Sequence, residues 1–220
     1  SGVARLHAQQ ALLRRSAKTA AVEGLKIASN KSLALDVRVA GIYTYVQAAG
    51  KSSIGNLIKL SEDETVREFA LKALADRTDM LAEVPVAPFL KGLKDPSARV
   101  QKVSIIALGR LGKKEALKAL LSISVPASFV APAKGVEGPH ATPNTDIIPA
   151  HLAVQALVQM NAVEACVAAI DGANSKIALW ALRYMHDPKA VDGLIAAYKR
   201  TDADKKQQIL NTLARLYTKE

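Results

Sequence analysis

His140, Asp146 and His151 fall within twelve residues of one another and are donor types that hold a divalent metal. Their spacing matches no rigid ligand template, and the first two lie in a proline-rich stretch, so a structural role is the expectation. Cys166 is the one cysteine of the chain and sits in an apolar run at helical spacing, where it reads as a small buried hydrophobe. One cysteine excludes an internal disulfide, a thiolate metal cage and a Cys-x-x-Cys-His haem attachment within these residues. No Ser/His/Asp ordering, glycine-rich phosphate loop or helical His-Glu-x-x-His is present. Glu62, Asp63 and Glu64 read as the start of a helix rather than as an acid–base pair. The chain is therefore expected to be no enzyme and to need no cofactor or metal.

The chemistry that the spacing does support is recognition. A β-branched residue, a basic one, then small residues three and six positions on with a large apolar neighbour, recurs along the chain; Val66, Arg67, Ala70, Ala73 and Leu74 form the clearest copy. The small–large pair stands at Ala11-Leu12, Thr44-Tyr45, Ala73-Leu74, Ala107-Leu108, Ala156-Leu157, Ala181-Leu182 and Thr212-Leu213, in steps of 33, 29, 34, 49, 25 and 31 residues. With each small residue turned inward, the positions one before and three after it point outward on the same helix. That register gives Gln10 and Arg14, Tyr43 and Gln47, Lys72 and Asp76, Ile106 and Arg110, Gln155 and Gln159, Trp180 and Tyr184, and Asn211 and Arg215. Aromatic rings, amides and guanidinium groups of this kind anchor protein interfaces. The candidate partner-binding residues are Arg14, Tyr43, Lys72, Arg110, Gln155, Trp180, Tyr184 and Arg215, with the weight on Arg110, Trp180, Tyr184 and Arg215.

These side chains need helices to carry them. Helical spacing inside a period near 30 residues is the signature of an all-α, right-handed α-solenoid of about six to seven helix pairs. Helices are expected over 3–15, 19–29, 37–49 (Asp36 as N-cap, Gly50 as exit), 53–60, 66–75, 100–111 (ending at Gly112), 114–123, 151–160, 163–170, 177–185, 191–198 and 207–217. The 49-residue step contains an insert over 125–149 with Pro126, Pro132, Pro139, Pro143 and Pro149. Phe129, His140 and Asp146 are its candidate contact residues, and the insert serves equally well as a binding loop or as a strap over a groove. The repeat runs from end to end, so residues 1–220 read as one elongated domain. The first helix has the character of the second member of a pair and lacks its partner, which suggests a segment of a longer protein.

Half of the residues are hydrophobic and only 4% aromatic, with Ala, Leu and Val dominant, which suits closely packed helices. No apolar run is long enough to span a membrane. The net charge of +10 raises the question of nucleic acid, but its distribution points away from it. Residues 1–60 hold nine Lys and Arg against Glu23 and Asp36, whereas the other 160 hold 21 against 18. The excess belongs to one end, as a solvated face or a contact for an acidic neighbouring domain.

Val66-Arg67-x-x-Ala70-x-x-Ala73-Leu74, together with Asp95-Pro96-Ser97-Ala98-Arg99-Val100 running into Ala107-Leu108-Gly109-Arg110-Leu111-Gly112, resembles the HEAT-like repeats over nearly the whole chain. More narrowly, segments 3–15, 66–77 and 181–189 look like the HEAT portion of large multidomain proteins of planctomycete-type bacteria. Those proteins join a propeller resembling sugar dehydrogenases, helical repeats and a c-type cytochrome module. The broad resemblance implies a scaffold in which the second helices line an inner curve that binds a protein or neighbouring domains of the same chain. The narrow one implies an extracytoplasmic spacer or docking module whose haem and catalytic residues lie outside these 220 positions. Two rivals share the resemblance. A HEAT-like alkylpurine DNA glycosylase would use an aromatic-lined basic cleft with a carboxylate, here Trp180, Tyr184 and Asp76. A HEAT-like bilin lyase or chaperone would hold a pigment.

Overall fold

In the computed structural model the described residues are 2–126 and 146–216, and among them only helices and turns occur. The helices are α1 (Gly2–Arg15), α2 (Ala17–Ser29), α3 (Leu35–Ala49), α4 (Ile54–Leu60), α5 (Arg67–Asp76), α6 (Ala87–Gly92), α7 (Ala98–Leu111), α8 (Leu117–Leu121), α9 (Ile147–Gln159), α10 (Val163–Ala169), α11 (Ser175–Leu182), α12 (Pro188–Arg200) and α13 (Ala203–Leu213). Short 3₁₀ turns lead into α4 and α8. The chain divides into two compact units, residues 1–107 and 108–220.

In the first unit α2 and α3 form a hairpin, α4 and α5 the next, and second helix packs on second helix as α1, α3 and α5 follow one another. In the second unit α8/α9, α10/α11 and α12/α13 are the hairpins, with α9, α11 and α13 in sequence along one side and α8, α10 and α12 along the other. This is the local order of an α-solenoid, in which each hairpin hides its apolar stripe against the next. The small residues of the repeat sit at the contact: Ala73, Ala181 and Thr212 are fully buried, and Thr44, Ala107 and Ala156 nearly so. Ile42, Leu57, Leu71, Leu74 and Phe89 fill the first core, and Leu120, Leu157, Ile170, Ile177 and Leu194 the second. Burial of each such side chain contributes roughly 1.5–3 kcal/mol.

Helix ends follow local chemistry. Ser16, Asp187 and Asp202 cap α2, α12 and α13 by accepting backbone N–H bonds from Thr19, Lys189 and Lys205 at 3.3, 2.9 and 2.9 Å. Gly50 and Gly112, at φ +53° and +62°, supply the left-handed exits from α3 and α7. Three expectations change. Asp36 is not the N-cap of α3, which is Ala34; Asp36 lies in the first turn, accepts from its neighbour Val37 N and pairs with Arg5 at 2.6 Å. Residues 61–64 do not cap α5, which begins after Val66 without a side-chain cap; the carboxylates of Glu62 and Asp63 are instead paired with Lys91 and Arg38 of adjoining hairpins. Pro149, assigned to the insert, lies in the first turn of α9. A proline is tolerated there because the first N–H groups of a helix have no intrahelical acceptor to lose. Phe129 and His140 lie outside the described residues.

α1 has no buried residue, and Val3 and Leu6 on it are 64% and 51% exposed. Its stripe is therefore only partly used by α2 and α3.

Candidate functional site

The row set by the repeat register is described in full, and none of its members is buried. In the first unit it carries charge. Lys72 is exposed, Asp76 is half-buried, and Tyr43 lies within the field of Asp76 and Glu68. Burial first, and then those two carboxylates, push the Tyr43 phenol up to about 12, so it stays protonated. Glu68 is held by the Arg99 guanidinium through bonds of 2.7 and 3.0 Å. Arg14 is exposed on α1.

In the second unit the row has another character. Arg110 is half-buried at the end of α7 and already engaged. Gln155 and Gln159 are exposed on α9, one helical turn apart, and Trp180 stands half-buried on the neighbouring α11 with Tyr184, 48% exposed, one turn further on. His151, one turn before Gln155, places its ring 6.0 Å from that of Trp180 at an interplanar angle of 54°, a tilted aromatic contact. Arg215 is exposed just past α13, and Asp146 is exposed at the entrance to α9. The structure sets His151 beside Trp180, and among the described residues, which leave out His140, no three His, Cys, Asp or Glu side chains gather to hold an ion. Asp76 belongs to the first unit with Tyr43, while Trp180 and Tyr184 belong to the second. Cys166 is fully buried, and burial pushes its thiol up to about 12, which leaves no thiolate for chemistry.

The residues that hold these faces in place escape a search for surface motifs. Arg38 lies in the first turn of α3 at only 3% exposure, and each of its three side-chain nitrogens donates a hydrogen bond. Its Nε donates to Ala28 O at 3.0 Å, Nη1 to Thr65 Oγ1 at 2.6 Å and Nη2 to Asp63 Oδ2 at 2.8 Å. Arg67 repeats the arrangement at the start of α5, with Nε on Ser61 O at 2.9 Å and Nη1 on Asp95 Oδ2 at 2.7 Å. Each aspartate first closes its own turn, Asp63 Oδ1 accepting from Thr65 N and Asp95 Oδ1 from Ser97 N. The second oxygen then receives the arginine of the hairpin before it. The separations of 25 and 28 residues, each near one period, are the sequence signal that would have revealed the pairs.

The Arg38 guanidinium, followed by the Thr65 hydroxyl, holds the Asp63 carboxyl down at about 2 against an ordinary 3.8. A carboxylate with a lowered folded-state value contributes stability that is complete above its ordinary value and lost as pH falls through the folded one. Urea titrations of Asp63→Asn against the parent should therefore show a stability deficit that is constant above pH 4 and shrinks between about pH 4 and 2. A deficit that stays unchanged down to pH 2 would show that the charge of Asp63 contributes nothing.

No helix among the described residues is long and apolar enough to cross a membrane. No curated protein matches the chain. Residues 53–128 match the family model of HEAT repeats, the stretch that holds the Arg67–Asp95 pair.

Proposed function

We propose that the chain is a non-enzymatic protein-interaction module, a scaffold that presents the outward row of its second helices to another protein or to neighbouring domains of its own chain. The observation that carries this reading is the contrast within single helices. Ala73, Ala156 and Ala181 are sealed in the core, while the residues flanking them in register, Lys72, Gln155, Trp180 and Tyr184, remain at the surface with interface chemistry. A preformed helical face binds without first ordering its own backbone, which lowers the entropic cost of association. HEAT-like repeats serve as binding scaffolds, which supports the same reading.

The finer assignments belong to this proposal. Arg14, Tyr43 and Lys72 would act in the first unit, and Arg110, Gln155, Trp180, Tyr184 and Arg215 in the second, with the 125–149 insert contributing Phe129, His140 and Asp146. The 220 residues would form one repeat domain of a larger multidomain protein, of the kind that joins a propeller and a cytochrome module. Replacing Trp180 and Arg110 together with Ala should leave the helical circular dichroism unchanged and weaken capture of a partner identified with the parent chain by tenfold or more, since interface anchors of these types each carry about 2 kcal/mol or more. Capture of equal strength by the double variant would remove this face from the function.

A further inference from the structure

α1, α3 and α5 share one register. Arg5, Ala8 and Ala11 of α1 stand where α3 has Arg38, Gly41 and Thr44, and where α5 has Arg67, Ala70 and Ala73. Ala70 and Ala73 are wholly buried, and Gly41 and Thr44 are buried too. What covers Gly41 is α2, the first helix of the same hairpin. A Cβ at position 41 would meet Ala28 N and Gly24 O, and one at position 24 would meet Tyr45 N, so the two helices run antiparallel. On α1 the matching Ala8 and Ala11 are exposed.

The arginines of this stripe show the same opening in their hydrogen bonds. Arg38 and Arg67 each reach two ways: forward to the aspartate of the next hairpin, and back through Nε to a carbonyl at the end of their own first helix, Ala28 O and Ser61 O. Arg5 makes the forward pair, with Nη1 2.6 Å from Asp36 Oδ2, but among the described residues its Nε has no acceptor. Its side chain is 41% exposed, against 4% for that of Arg38. The acceptor it lacks is one that a helix end supplies, since the last C=O groups of a helix have no partner within it.

From this arrangement we infer that the open side of α1 receives a single α-helix of a partner protein, lying antiparallel to α1 as α2 lies on α3, with its last carbonyls accepting from Arg5 Nε. Continuity with the α2–α3 interface sets the apolar part of that helix. Small or apolar residues at three- and four-residue spacing would face Ala8 and Ala11, as Ala20, Gly24 and Ala28 are placed on α2. Charge sets the rest. An antiparallel helix begins beside the last turn of α1, where Arg15 is exposed, and exposed Lys18 follows in the first turn of α2. Neither cation has an acidic partner among the described residues. Acidic residues in the first turn of the incoming helix meet these cations and also suit its dipole. A second copy of this chain has no such helix to give among the described residues, because α3, α5, α10 and α13, which carry an acid in the first turn, already bury their own stripes. The inference goes beyond the reading of the outward row, since it concerns another side of α1, and either can fail without the other.

The test selects a displayed library of random 13-residue peptides, the length of α2, against the full chain. Bound sequences are then remade with a fluorescent label and titrated by anisotropy, with circular dichroism of the mixture. The expected peptides carry Asp or Glu in the first turn and apolar residues at three- and four-residue spacing, and they gain helix on binding, since so short a peptide is largely unfolded alone. Ala8→Lys/Ala11→Lys should weaken them tenfold or more. Both alanines are exposed, so this variant keeps the helical content of the parent. It also adds positive charge, so a partner held by charge alone would bind it more tightly. Arg5→Gln should weaken binding severalfold, and Lys94→Ala, an exposed cation elsewhere in the first unit, should bind as the parent does. No selected peptide, binding that survives a proline placed in the middle of the peptide, or undiminished binding by Ala8→Lys/Ala11→Lys would overturn the inference. So would a dimer of the parent that this variant abolishes, or sedimentation of the parent, and not of the variant, with phosphatidylglycerol vesicles while no peptide binds. If Trp180→Ala/Arg110→Ala still loses its captured partner while these results fail, the scaffold reading stands and only the helix-docking inference falls.

Discussion

Gly41→Ala should lower the stability of the first unit by about 3 kcal/mol, although alanine in a helix interior ordinarily gains about 1 kcal/mol over glycine. A Cβ at position 41 would stand 2.8 Å from Ala28 N and 2.8 Å from Gly24 O, and one at position 24 would stand 2.8 Å from Tyr45 N. The two glycines face each other where α2 crosses α3, and although Ile27 Cγ2 also stands 2.8 Å from the position-41 Cβ, the backbone atoms on both sides cannot be moved by rotating a side chain. Either the hairpin opens, and the packing of Ala20, Ala28 and Ile42 opens with it, or the helices distort. Gly55→Ala is the control. It lies exposed in α4 with nothing within 4 Å of its Cβ position, so it should gain stability by about 0.5–1 kcal/mol. Urea melts of the two variants would have opposite signs; a Gly41→Ala variant as stable as the parent would show that the crossing is not close-packed.

The second large effect is expected at Arg38. Removing one partner of a buried ion pair leaves the other charge and its turn without compensation, at a cost of about 3–5 kcal/mol. Arg38→Ala should reach that range because the guanidinium also satisfies Ala28 O and Thr65 Oγ1. Arg38→Lys should recover only part of it, since an ammonium cannot reach three acceptors in one plane. Exposed pairs such as Arg77 with Asp79 serve as the comparison, where loss should cost at most about 1 kcal/mol. Equal effects at the two sites, read from denaturant midpoints, would contradict the role given to Arg38.

The helices were legible in the sequence because the small–large pairs mark the buried side of α3, α5, α7, α9, α11 and α13, whereas on α1 the expected inward residue, Ala11, is exposed because few neighbours cover that helix. The outward row follows from the same periodicity, since a helix that hides Ala156 and Ala181 must show Gln155 and Trp180. Helix starts were less legible. Asp36, Glu62 and Asp63 have the composition of caps, but tertiary cations compete for the same oxygens and prevail. Pro149 was misplaced because composition alone does not separate a proline in a loop from one in a first turn. The Gly24–Gly41 crossing and the Arg38–Asp63 and Arg67–Asp95 pairs join residues in different elements, and local pattern does not reveal such partners unless the separation is compared with the repeat length. The contact of His151 with Trp180 is of the same kind, because it depends on how α9 lies against α11.

Because Arg38 and Arg67 each reach forward to the aspartate of the next hairpin, the bonds set the phase in which this part of the protein can be cut or lengthened. A fragment ending between Arg67 and Asp95 strands a guanidinium, and one beginning between Arg38 and Asp63 strands a carboxylate. Deletions and duplications within the first unit should thus survive only as whole periods, each new module arriving with an acid for the arginine behind it and an arginine for the acid ahead.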